Sequence, residues 1–164
     1  MKTYQVALLF MALPVVQYFA GMSYAIQPWI RFEPYVIFWL VMPFTWPAEL
    51  SLIVGLAFGL VLDVFFPPYG AHAFSGLWVW ARRGLWARLI RPFQSPEEVP
   101  RPETFSLGEW TLYAFPLCLV YLLSYSLLQG MSWKTTLWAP LSASYSFLGM
   151  LVIFMIFIRR SDAR

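Results

Sequence analysis

The chain has 164 residues, 60% hydrophobic, 20% aromatic and only 12% charged, whereas a soluble domain carries about 25% charged residues. Its formal charge of +3 comes from 11 lysines and arginines against 8 acids, a balance that makes nucleic acid a poor partner. The lone Cys118 excludes an intramolecular disulfide and any multi-cysteine metal site.

No charged side chain occurs within residues 3–30, 34–48, 51–62, 64–81, 110–133 or 135–158. Hydrocarbon offers no water to satisfy a backbone, and a spanning helix needs about 20 mainly apolar residues. The pattern therefore predicts an all-α polytopic membrane protein. It forms a single domain, residues 1–164, built as a bundle of six transmembrane helices.

The first predicted helix covers residues 4–26, with Pro14 as a kink. Lys2, the apolar stretch and Ser23-Tyr24-Ala25 imitate an export signal, but the stretch exceeds the usual 7–15 apolar residues, so it is expected to be a helix of the protein. Gln17 is placed for an interhelical hydrogen bond. The second helix, 34–46, starts at Pro34 and ends around Pro43 to Pro47, and the third, 49–66, opens with Glu49. Both are short for a span. Pro67-Pro68-Tyr69-Gly70 forces a turn.

The fourth helix, 71–91, is apolar to Ala81 and then carries Arg82, Arg83, Arg88 and Arg91 among Leu85, Trp86, Leu89 and Ile90. That half reads as an interfacial face for anionic lipid or a cytoplasmic partner. Residues 92–108 form a proline-rich loop with Glu97 and Glu98, and helices 109–129 and 136–158 complete the set. Placing both termini and the even-numbered turns on one side gathers nine of the 11 basic residues there. Only Arg31 and Lys134 lie opposite, so the positive-inside tendency makes the N- and C-termini cytoplasmic.

Ser51, Gly55, Gly59 and Asp63 recur every four residues and so share one helix face, where missing side chains let another backbone approach. The stripe reads as packing either inside the chain or against another protein. Asp63 lies between long apolar runs, where a carboxylate is costly without partners. Either it serves the turn and the start of the fourth helix, or it meets a partner or substrate directly. His72, nine positions on, is placed to pair with it. Ser75, one helical turn after His72, is the nearest nucleophile, but nothing provides an activated serine on a strained elbow or a metal-ligand spacing. The reading is therefore no enzyme, with no catalytic residue, cofactor or metal.

The stretch GLAFGLVLDVFFPPYGAHAFS, Gly55 to Ser75, resembles the MreD family of rod shape-determining membrane proteins. Members combine a glycine-rich helix ending in aspartate, a glycine-containing turn, and a histidine with small residues opening the next helix. Those features correspond here to Gly55, Gly59, Asp63, Gly70, His72 and Ala73. Glu33-Pro34-Tyr35 is similar to the asparagine-proline entry of the second helix in Bacteroidetes-like members, with glutamate in place of asparagine. Gly108 to Tyr113 before a long span is also similar. Pro67-Pro68 departs from the usual serine- and glycine-rich turn.

The resemblance implies a noncatalytic, multi-pass scaffold of the bacterial inner membrane. Such a scaffold binds the bitopic MreC protein and helps couple MreB filaments to the elongation polymerase and transpeptidase of peptidoglycan synthesis. The rival expectation is a six-helix substrate-binding subunit of a vitamin-type importer, which needs an interior pocket with converging polar groups.

Overall fold

The computed structural model of the chain describes residues 3–21, 30–91, 104–129 and 136–158, and every regular element among them is helical. In chain order these are α1 (Thr3–Gly21), α2 (Ile37–Val41), α3 (Ala48–Phe65), α4 (Ala71–Ile90), α5 (Leu107–Leu128) and α6 (Ala139–Ile153). A 3-10 turn, Pro34–Val36, leads into α2, and a π-helical turn, Phe154–Ile158, follows α6. Three segments are long and apolar enough to cross a membrane: Ala48–Phe65, Leu107–Leu128 and Ala139–Ile156. Tyr4–Phe19 is a shorter apolar helix. α4 has 20 residues but carries Arg82, Arg83 and Arg88.

The largest departure from expectation is the second helix, predicted over 34–46 but ending at Val41. Pro34 starts it as predicted, since a fixed φ and a missing N–H suit the first helical turn. Its end is set earlier than expected because Met42 precedes Pro43, whose ring drives the preceding residue out of the helical region. Met42 accordingly sits at φ −54, ψ 131.

α5 begins two residues before the predicted start at 109. Ser106 and Glu109 form a capping box, with Glu109 N–H donating to Ser106 Oγ at 3.3 Å and Ser106 N–H to Glu109 Oε2 at 2.8 Å. Residues 136 and 137 are helical, and after a turn at Trp138 α6 starts at Ala139, with Pro140 in its first turn. The predicted continuation of the first helix over 22–26 and most of the loop 92–108 lie outside the described residues.

α4 packs against both α3 and α5, and α5 packs in turn against α6. Their outward faces are apolar: Leu8, Met11 and Val15 on α1, Ile53, Leu60 and Val64 on α3, Leu112 and Leu127 on α5, Leu148 and Val152 on α6. Inside lie Glu33, Asp63, His72 and Arg83. An oily exterior around buried ionisable groups is the arrangement lipid requires, because each polar group must find its partner within the protein.

The segment 35–42 occupies the middle of this assembly, and none of its residues is more than 1% exposed. The Trp39 ring meets Tyr35, Phe38, Phe58 and Tyr121, with centroids 5.1–6.4 Å away. Two glycines make its slot. A Cβ at Gly76 would fall under 3 Å from the indole, and one at Gly55 would lie 3.3 Å from it. Trp39 Nε1–H donates to the Gly55 carbonyl at 3.2 Å.

Candidate functional site

Asp63 stands on the last turn of α3 and His72 on the first turn of α4, joined by the exposed tip 67–70. Gly70 turns the chain at φ +87, a left-handed conformation that favours glycine. The Asp63 carboxylate then caps α4 from a neighbouring helix. Oδ1 accepts the His72 N–H at 2.9 Å and Oδ2 the Ala73 N–H at 3.1 Å. His72 Nδ1–H also donates to Oδ1, at 2.8 Å.

A helix N-terminus presents unsatisfied N–H groups and a positive dipole end, so a carboxylate there satisfies both needs. The close approach depends on Gly59, where a Cβ would fall under 3 Å from the Ala73 backbone. The expected pairing of Asp63 with His72 is thus present, and it serves the turn and the start of α4.

The His72 ring continues into a buried polar cluster. It packs on Tyr125 and Tyr35 with centroids 4.6 and 5.6 Å away, and Tyr121 Oη donates to Tyr35 Oη at 3.2 Å. Above Tyr125, at 4.8 Å, lies the Arg31 guanidinium, which also donates to Gln129 Oε1. Glu33, 2% exposed, accepts from Gln17 Nε2 at 3.2 Å. Its backbone N–H donates to Ser146 Oγ at 2.8 Å, and the Arg31 N–H to Ser142 Oγ at 3.0 Å. Residues of α1, α3, α4, α5 and α6 therefore converge on the chain entering α2. Gln17 makes the kind of bond its mid-helix position suggested.

At the opposite end of α3 the stripe finishes in a second knot. Ser51 Oγ accepts from Trp80 Nε1 at 2.8 Å and from Arg83 Nη2 at 3.0 Å, and donates to Met42 Sδ at 3.0 Å. Arg83 Nη1 donates to the carbonyls of Trp39, at 2.9 Å, and Met42, at 2.5 Å. These carbonyls belong to the end of α2, which Arg83 thereby caps. Tyr113 Oη donates to the Leu40 carbonyl, between them, at 2.9 Å.

Ser51, Gly55, Gly59 and Asp63 thus form one buried face turned toward α2 and α4 within this chain. Arg83 departs from the expected interfacial set, since it is 4% exposed while Arg82, Arg88 and Arg91 are exposed. Arg82 lies over the Trp78 ring at 4.1 Å, and Arg91 pairs with Glu109 at 3.2 Å. A usable signal existed in the sequence. Arg83 follows His72, Gly76 and Val79 at spacings of four, three and four, which is their helix face and not that of Arg82 or Arg88.

In the sequence Arg31 counts only toward the charge balance across the membrane and Glu33 only toward the Glu33-Pro34-Tyr35 entry, because nothing local distinguishes an ion at a helix boundary from one folded inward. The Ser75 hydroxyl is buried with no hydrogen-bond partner among the described residues, and no group of three or more potential metal ligands gathers among them. The chain matches no protein-family model, no curated protein and no solved structure.

Proposed function

We propose that this chain is a noncatalytic scaffold of the bacterial inner membrane that works through contact surfaces, as its resemblance to the MreD family implies. One observation carries the reading. Both oxygens of Asp63, the carboxylate that any chemistry on this face would use, are committed to the backbone of α4. The group fixes a shape, the junction of α3 with α4. The core around Trp39 is likewise filled with aromatic rings.

In this reading the chain crosses the bilayer six times with both termini in the cytoplasm. The segment 30–47 makes one crossing inside the bundle, part of it non-helical. Backbone of that kind is tolerated at membrane depth only when surrounded by protein. The partners are an MreC-like single-span protein and, through it, the wall-synthesis enzymes and MreB filaments. The partner meets the outer faces of the helices or the exposed tip 67–70, because the small-residue stripe is already occupied within the chain.

The test is copurification of the tagged full chain from membranes, with mass spectrometry of everything retained. A stoichiometric single-span protein, weakened by Asp63→Ala, is the expected result. Recovery of a stoichiometric small molecule with no protein partner overturns the reading in favour of the importer subunit. The convergence of Arg31, Glu33, Gln17 and Tyr125 would be that molecule's site.

A further inference from the structure

Arg83 has a second property that capping α2 does not use. The residue is 4% exposed, yet no carboxylate among the described residues lies within ion-pair distance of its guanidinium. Removing a charge from water is costly, and a buried guanidinium is normally matched by an anion. Here three N–H groups go to two carbonyls and a hydroxyl. A guanidinium has five donors. The N–H of Nε and one of Nη2 have no acceptor among the described residues.

Arg83 also lines a cleft of about 210 Å³ together with Phe44, Trp46, Ser51, Trp80 and Gly84. That space holds several waters at roughly 30 Å³ each, and so admits a phosphate-sized group. Two walls of the cleft are tied to its polar groups. Phe44 lies under the guanidinium at 4.5 Å, and Trp80 is fixed to Ser51. The cleft lies beside the first turn of α3 and the middle of α4, next to exposed Arg82 and one to two helical turns before exposed Arg88 and Arg91. Aromatic and basic groups together at a helix end suit the headgroup level of a bilayer. Phosphate favours a planar donor fork of the arginine kind.

We propose that this cleft is a binding site for the phosphate of an anionic phospholipid, with Arg83 as its counter-ion and the tryptophans Trp46 and Trp80 flanking the glycerol backbone. The site is separate from the scaffold reading and stands or falls without it.

The full chain is reconstituted in nanodiscs of phosphatidylcholine containing phosphatidylglycerol, extracted, and the retained lipid counted by native mass spectrometry. Retention of one phosphatidylglycerol in preference to phosphatidylcholine is expected. Arg83→Gln is expected to lower it about tenfold, the loss of one charge-assisted hydrogen bond.

Because Arg83 also caps α2, Gly84→Leu is the deciding variant. A Cβ at Gly84 meets only Phe44, at 3.7 Å, and Gly84 lines the cleft without taking part in the Arg83 hydrogen bonds, so a larger side chain there is expected to occupy the cleft. Gly84→Leu is expected to melt like the wild type and to lose the lipid. Equal retention of the two lipids, or undiminished phosphatidylglycerol on well-folded Gly84→Leu, overturns the site. Calorimetry with inorganic phosphate separates the two sources of the anion. Arg83-dependent binding of free phosphate without lipid retention overturns the lipid assignment.

Discussion

Asp63 shows how one side chain determines the relation between two helices. A carboxylate buried at 3% exposure is tolerable because its acceptors are filled by two backbone N–H groups and an imidazole. Removing it strands those donors away from water. Asp63→Ala is expected to destabilise the protein by about 2–4 kcal/mol, combining the loss of a helix cap with unsatisfied buried groups. Asp63→Asn, which keeps one acceptor oxygen, falls between it and the wild type. Thermal unfolding in detergent micelles measures both, and a wild-type midpoint for Asp63→Ala would contradict the capping role. Gly70→Ala forces a Cβ into a left-handed conformation and is expected to cost about 1 kcal/mol in the same assay. The Asp63–His72 pair was readable from sequence because turn and spacing are local. The roles of Glu33 and Arg83 were not, because their partners come from segments between 16 and 113 residues away.

At the level of elements, α2 is the unusual member. Five helical residues rise about 7.5 Å at 1.5 Å each, far short of a span, and its terminal carbonyls would be orphaned in lipid. Arg83 and Tyr113 supply the donors. Tyr113→Phe removes one of them and is expected to cost about 0.6–1 kcal/mol, the usual worth of such a bond inside a membrane protein.

The glycines around Trp39 make a sharper test. Gly76→Val drives a side chain into the indole and is expected to cost about 1–3 kcal/mol through overpacking. Combining it with Trp39→Leu opens the space again. The double variant is then expected to be more stable than the sum of the two single losses, by a coupling of about 0.5–3 kcal/mol. Strict additivity would mean that the two residues do not share a slot.

For the whole molecule, the testable statement is its placement in the bilayer. The Asp63–His72 turn and the Arg82–Arg91 stretch sit at opposite ends of α4. A cysteine at Tyr69, a site 80% exposed, and one at Arg88 are therefore expected to react with an impermeant maleimide from opposite faces of the membrane. Arg88→Cys should be labelled only in inverted vesicles. Cys118 is buried and serves as a silent background. Labelling of both sites from the same face would contradict six crossings with cytoplasmic termini.

The sequence alone determined the membrane character and the main helical segments, because charge-free runs, prolines and capping residues act within a few neighbours. It also marked the stripe Ser51-Gly55-Gly59-Asp63 as a packing face, since helical periodicity is itself local. Only the tertiary structure decided that 35–42 lies at the centre, that Arg83 turns inward, and that Glu33 joins Gln17 and Ser146. The reason is physical. In a soluble protein, polarity tells which side of a helix faces out, but lipid is as apolar as a core. A leucine carries no mark of whether it will meet an acyl chain or Trp39, and only assembly of the bundle makes that distinction.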